Sequence, residues 1–392
     1  MLPRITVLSN APAHPPGTDA WDFAFRDLLT ILKRVPDREV FAFDADTLCP
    51  PQQFRNNFLA ACSKLTSQGA ETAERIVEAA KLSDAFLLGD VRGLSLAEWI
   101  PALTLSRRPI PWVCSDWPRE FPACDPVWET HRHGPLPRRL IASACLKLAY
   151  KSDPVHRDRL TPVTSAIFAS RPLQERNRRS FPQLENAYIV PPPLDTAVFR
   201  FKPANTARNN AWGWIGDVEA APEDAAVALR IFAFEALQNP ECRFYIASPL
   251  HSAEAQKMLA GIRAHPALAP RVSFLKPPES KTALAAMLRD LGVLILPRRH
   301  AKNEFPLLAA TAIACGCLPL CGQDAETEAL IEAPEFLFPA DAPSAAFLRC
   351  EKIKALPPDA RSELLARIAQ KITESASHEA VAQQLETILR NG

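Results

Sequence analysis

Glycine is scarce in this chain, 12 residues of 392, under half the usual share of about 7%. The shortage matters most where chemistry needs permissive backbone. Neither G-x-G-x-x-G nor G-x-x-x-x-G-K-[ST] occurs, so dinucleotide-binding and P-loop phosphate cradles are excluded as organising motifs. A surplus of one charge is missing as well: 45 Lys and Arg stand against 44 Asp and Glu, which leaves no global attraction to nucleic acid. No run of about 18 apolar residues is present to cross a bilayer. At the N-terminus Pro3, Arg4 and Asn10 bracket a stretch too short for the apolar core of a secretory signal. The expected compartment is therefore the cytoplasm. The ten cysteines include no C-x-x-C. Their tightest group, Cys315, Cys317 and Cys321, lies in an apolar segment, so buried reduced thiols are expected and no metal site.

Proline is plentiful, 38 residues, about twice its ordinary share of roughly 5%. Hydrophobic residues make up 47%, and the length suffices for two domains. Short apolar runs read as strands at 4–8, 39–43, 85–88, 111–114, 164–169 and 187–190, with helical stretches at about 19–33 and 52–80. Three successive prolines, Pro191 to Pro193, form a stiff connection, and the domain boundary is placed near Asp195. Alternation then restarts. Strands are expected at 212–215, 243–247, 272–275, 292–296 and 317–321. The intervening helices are expected at 223–237, 253–264, 281–291 and 307–314, with a short helix at 326–331 and two terminal ones at about 358–373 and 378–390. Alternation at this spacing implies parallel sheets wound on both faces.

Within that frame the stretch 291–322, LGVLILPRRHAKNEFPLLAATAIACGCLPLCG, is the densest in chemistry. Its first apolar run stops at Pro297. A loop carrying Arg298, Arg299, His300, Lys302, Asn303 and Glu304 follows, and Phe305, Pro306 and Leu307 open a helix, where proline suits the first turn. Ligands of such sheets sit at the carboxyl ends of strands, against helix N-termini, which marks this loop as a ligand-site candidate.

The same stretch resembles the donor-site segment of retaining glycosyltransferase family 4, P-S-x-x-E-G-F-G-x-x-x-x-E-A-M-A-C-G-x-P. Phe305, Ala312, Ala314, Cys315, Gly316 and Pro319 fall in place. The two glutamates of the Glu-x7-Glu motif do not: Asn303 and Thr311 occupy their positions, and Glu304 is displaced by one. Elsewhere, Asn10, Pro16, Gly17 and Asp19 are similar to the opening loop of the family, Asp116 stands where His-Asp is common, and Pro191 to Phe199 is similar to I-P-P-G-V-D-x-x-x-F. The segment G-R-L-x-x-x-K-G, which supplies basic residues to the donor phosphates, is represented by Gly216-Asp217-Val218-Glu219-Ala220-Ala221-Pro222-Glu223-Asp224, with acids where the cations belong.

The resemblance implies the GT-B fold, two doubly wound Rossmann-like α/β domains facing a cleft: 1–195 on the acceptor side, 196–374 on the donor side, and a last helix in 375–392 packing back on the first domain. It implies transfer of a sugar from a nucleotide-sugar donor to a glycan or lipid-linked acceptor in polysaccharide or glycoconjugate assembly, with no cofactor and no metal. Asp116 and Glu304 are the expected catalytic residues. Gly216, Arg298, Arg299, Lys302, Asn303, Phe305, Pro306, Leu307 and Thr311 are expected at the donor, and Gly17 and Trp117 on the acceptor side. A diphosphate leaving group must be neutralised, and arginine's planar fork suits its oxygens. Because the motif is degenerate, a catalytically inactive binding or scaffold subunit is the competing reading. Between Arg132 and Arg179 stand eleven Lys and Arg against three acids. A basic, partly apolar helix at 136–151 either touches anionic membrane or packs with its charged side in water.

Overall fold

Short apolar runs set between proline-rich and charged turns become the strands of two parallel sheets. The structure, a computed structural model, describes residues 4–9, 27, 31, 32, 39–44, 85–88, 109–113, 164–178, 184–203, 208–250, 252–298, 305–339 and 342–391. The first sheet contains β1 (Arg4–Ser9), β2 (Glu39–Asp44), β3 (Ala85–Leu88), β4 (Pro109–Val113), β5 (Ser165–Phe168) and β6 (Asn186–Ile189), with helix α1 (Arg171–Asn177) between the last two. Its order is β2-β1-β3-β4-β5-β6, and its pairings are parallel. Every residue of β5 is buried, as a parallel strand covered on both faces requires. Helix α1 was not expected from the sequence. Its signals are there, since the Ser170 hydroxyl accepts from the Leu173 amide at 3.2 Å and Pro172 sits in the first turn, but they lie among arginines that carry no apolar rhythm.

The second sheet is built from β7 (Ala211–Ile215), α2 (Pro222–Gln238), β8 (Arg243–Ala247), α3 (Ala253–Arg263), β9 (Val272–Leu275), α4 (Lys281–Asp290), β10 (Val293–Leu296), α5 (Leu307–Ala314), β11 (Leu318–Gly322), α6 (Ala325–Ile331) and β12 (Leu337–Phe338). Helices α7 (Pro343–Ala355), α8 (Pro358–Ala376) and α9 (His378–Asn391) follow. Strand order is β12-β11-β10-β7-β8-β9. From β7 the chain steps outward to β8 and β9, then returns to lay β10 on the other side of β7. The order thus reverses between β7 and β10, the position at which open parallel sheets bind ligands outside their carboxyl ends. Neither β12 nor α7 was expected from the sequence.

Local chemistry explains the helix starts. Ser252 and Ser280 cap α3 and α4, each accepting from the amide three residues on at 3.1 Å, a contact that stabilises by about 1 kcal/mol. Helix α5 is apolar all round except for Thr311, and seven of its eight residues are buried. A helix with no polar face must be enclosed, and α8 packs against it. It ends at Gly316, whose φ is +75° and where a Cβ would lie 2.1 Å from the Lys202 carbonyl oxygen. Both the left-handed backbone and the close approach call for glycine.

Arg208 is the polar centre of this packing. Its buried guanidinium donates to the carbonyls of Lys202, Pro203, Leu288 and Leu291 at 2.9–3.3 Å, satisfying the otherwise open C-terminal end of α4. Among the described residues the chain divides into two compact units. One holds the first sheet and the chain from Ala382, and the other runs from Pro192 to Val381, so the division falls within the triproline. No described helix is long and apolar enough to cross a membrane.

Candidate functional site

The carboxyl end of β7 is a closed turn. Gly216 follows the buried Trp214, whose ring would lie 2.7 Å from a Cβ at that position, so glycine permits the close approach. Four amides of the turn have partners within the protein. Gly216 donates to the Ala247 carbonyl at 3.1 Å and Ala221 to the Asp217 carbonyl at 2.9 Å. The Val218 amide donates to the Ser248 hydroxyl at 3.0 Å and the Glu219 amide to the Asp217 carboxylate at 2.9 Å. These four donors are therefore committed within the protein and are not a phosphate nest. The electrostatics agree. Glu223 and Asp224 occupy the first turn of α2, where they complement the helix dipole themselves.

At the neighbouring end of β10 the arrangement differs. Pro297 is buried, and Arg298 turns into the left-handed region with φ 57°, a conformation costing on the order of 1 kcal/mol for a residue with a Cβ. Its Nε donates to Asp324 Oδ2 at 3.2 Å in an ion pair whose side chains are only 9% and 4% exposed. Asp324 comes from the end of β11 and caps α6. Its Oδ1 accepts from the Thr327 amide at 2.8 Å, and the Thr327 hydroxyl accepts from the Asp324 amide at 3.0 Å, a reciprocal capping box. The pair thus ties the ends of two adjacent strands to a helix start. Burial pushes the nearby Cys321 thiol up to about 12, with the Arg298 charge pulling it down and Asp324 pulling it up.

Beyond the loop, Phe305 is 7% exposed and the Leu307 amide turns back to the Phe305 carbonyl at 2.8 Å. Pro306 precedes α5 and supplies no side-chain cap. Thr311 is 1% exposed and its hydroxyl donates to the Leu307 carbonyl at 2.8 Å, so its hydrogen is spent inside the helix. The described residues thus bring Gly216 and Arg298 to adjacent strand ends and Phe305, Pro306 and Leu307 to the start of α5. Arg298 reaches a partner, Asp324, that the sequence reading did not name. Gly17, Asp116, Trp117, Arg299, Lys302, Asn303 and Glu304 lie outside the described residues, as does 136–151. The five described cysteines, Cys242, Cys315, Cys317, Cys321 and Cys350, are buried. Burial raises the Cys315 thiol to about 12 and pushes Cys317 up as well.

No family model matches the sequence, and no curated protein matches it. Solved structures do. Sucrose-phosphate synthase from Thermosynechococcus elongatus superposes with a TM-score of 0.67 at 17% identity, covering 99% of this chain and 98% of that one. Anabaena HepE in complex with UDP gives 0.61 at 14% identity over 99% and 100%. The fold is GT-B. Trehalose-6-phosphate synthase, OtsA, gives 0.62 at 11% identity over 99% of each chain. These neighbours are GT-B glycosyltransferases of more than one kind, so the likeness supports the GT-B class and does not single out family 4.

Proposed function

We propose that this chain is a glycosyltransferase that moves a sugar from a nucleotide-sugar donor to a glycan or glycolipid acceptor, in polysaccharide or glycoconjugate assembly. The observation that carries the reading is the likeness over 99% of the chain to a GT-B protein in complex with UDP. The donor belongs at the carboxyl ends of β7 and β10, where strand order reverses. With the β7 turn acidic and its amides committed, the diphosphate charge falls to the basic residues between β10 and α5, Arg299 and Lys302, and to the start of α5. Asn303 and Glu304 are assigned to the sugar, and Asp116 to the reacting centre, by the resemblance alone. A peripheral contact of 136–151 with anionic membrane would bring a lipid-linked acceptor within reach.

A non-catalytic scaffold is the second reading, and the acids on the β7 turn favour it, since carboxylates repel a diphosphate by several kcal/mol at short range and low effective dielectric. Thermal-shift measurement with UDP, GDP, ADP and dTDP separates the two. An enzyme that releases a nucleoside diphosphate is stabilised by that product by about 2.7 kcal/mol at a hundredfold excess over Kd. A folded protein silent across all four nucleotides belongs to the scaffold reading.

A further inference from the structure

We propose that the outward face of α2, flanked by α7, is a self-association surface on which a second copy of this chain packs antiparallel about a two-fold axis. The proposal needs nothing of the sugar-transfer reading.

Exposed apolar bulk is concentrated in one place. Of the four large apolar side chains exposed among the described residues, Phe234 (42%), Leu237 (80%) and Leu348 (61%) lie on α2 and α7, and only Ile189 lies elsewhere. The two helices pack on one another, and the rings of Phe234 and Phe347 meet at 5.7 Å between centroids. Leu237 follows Phe234 by one helical turn on the same face, and Leu348 adjoins Phe347, so the three form a single patch. Helix α2 also lacks a water-facing side. Between Ala226 and Leu237 the residues left unburied are Ala226, Leu229, Arg230, Ala233, Phe234 and Leu237, and Arg230 alone among them is polar. A solvated helix turns polar residues outward. An apolar face left on a surface marks an interaction site.

The charges at the two ends of the face identify its occupant. Arg230 precedes Phe234 by four residues and Glu241 follows Leu237 by four, so the face reads cation, apolar pair, anion. A copy laid antiparallel, with the axis passing between Phe234 and Leu237, sets Phe234 against Leu237 of the second copy. Arg230 then meets Glu241 of that copy, and the two-fold repeats both contacts. Both charged side chains are exposed, and among the described residues neither has an ion-pair partner. Arg243 gives its guanidinium to the Pro240 and Cys242 carbonyls, and Arg271 to that of Ala236, so neither neutralises Glu241. Opposite charges at equal offsets from an apolar centre are what a self-complementary surface needs. A partner of another kind calls for no such symmetry. About 18 Å of helix separates Pro222, beside the β7 turn, from Phe234, so pairing leaves that turn uncovered.

Sedimentation velocity on the full chain across a wide concentration series is expected to show a reversible equilibrium between monomer and dimer, as a small interface gives. Leu237→Glu places an unpaired charge in the contact and should weaken the dimer by more than about tenfold. Leucine 237 is chosen over Phe234 because it is mostly exposed and the monomer does not rest on it, so thermal unfolding of the dilute variant should match wild type. Arg230→Glu and Glu241→Arg each set like charges across the axis and should each weaken the dimer about tenfold. Mixed in equal amounts, these two variants should associate with each other near wild-type strength, because the mixed pair sets opposite charges together at both contacts. Only a contact between chains produces that recovery.

A wild-type chain that stays monomeric throughout the series overturns the proposal and leaves the patch to a partner of another kind. A dimer indifferent to Leu237→Glu overturns it too. If Leu237→Glu weakens the dimer but the mixed variants associate no better than either alone, the antiparallel pairing of Arg230 with Glu241 is wrong.

Discussion

The ends of β7 and β10 lie side by side in one sheet, yet they solve the same local problem in opposite ways. At β7 four amides are committed within the protein: Glu219 and Ala221 bond back to Asp217 inside the turn, Gly216 and Val218 to Ala247 and Ser248 at the end of β8, and the side chains are acidic. At β10 the backbone is strained at Arg298 and a buried ion pair holds it. A turn whose amides are already bonded to the protein offers those donors to no anion. A strained turn needs a partner, and its strain marks where structure has been committed to a task. On the function proposed above, the ligand chemistry is assigned to the β10 side.

The most disruptive way to break this contrast is Arg298→Ala. It leaves the Asp324 carboxylate buried without its cation, and removal of one member of a buried pair costs about 3–5 kcal/mol. Urea unfolding should show the loss as a lower midpoint at unchanged slope. On the β7 side the largest available effect is smaller. Ser248→Ala strands the buried Val218 amide, for which about 1–3 kcal/mol is expected. If the turn then recruits a phosphate, seen as tighter diphosphate binding, its committed amides were what kept the anion away.

A pair outside both turns serves as a control. Burial works against the Asp195 carboxylate, but the Lys281 hydrogen bond and charge, with His378 and the Val198 amide, outweigh it and hold its pKa below the ordinary value of 3.8. A carboxyl depressed in the folded state contributes stability above the unfolded pKa and loses it as pH falls through the folded one. Lys281→Ala should therefore be less stable than wild type at neutral pH, by under about 1 kcal/mol for so accessible a pair. The gap should close on acidification below pH 3.8, as followed by chemical unfolding at a series of pH values. The smallest effect belongs to Glu219→Lys. An exposed substitution there should change stability by within about 0.5 kcal/mol and leave diphosphate affinity near wild type, because a solvated lysine away from the bound phosphates is screened by water and salt. A large gain in affinity would place the phosphate at β7 after all.

Much of the fold was legible in the sequence. The runs 243–247 and 272–275 coincide with β8 and β9, the limits of β7 and β10 differ from the expected ones by one residue at the start, and those of β11 and α2 by one residue at each end. Apolar continuity is a local signal, so it survives without tertiary information. Helix α7 was missed because its residues follow no clean helical stripe, and α1 because its seven residues are mostly charged or polar.

Residue type alone decided that 291–322 contains a strand, a charged loop and an enclosed helix, since VLIL and LLAATAIA exclude any exposed surface long enough to matter. It also decided that the turn after β7 is acidic, and that glycine follows α5. What Arg298 does was decided only by the tertiary structure. In sequence it is one of two adjacent arginines in a polar loop, and its partner Asp324 stands 26 residues away. Parallel strands must be joined by crossovers, so the groups that meet at neighbouring strand ends are separated by a whole helix. The same reason hides Arg208, whose acceptors on Leu288 and Leu291 lie 80 and 83 residues downstream. A charge is visible in a sequence, but what neutralises it is fixed by which strand ends the sheet brings together.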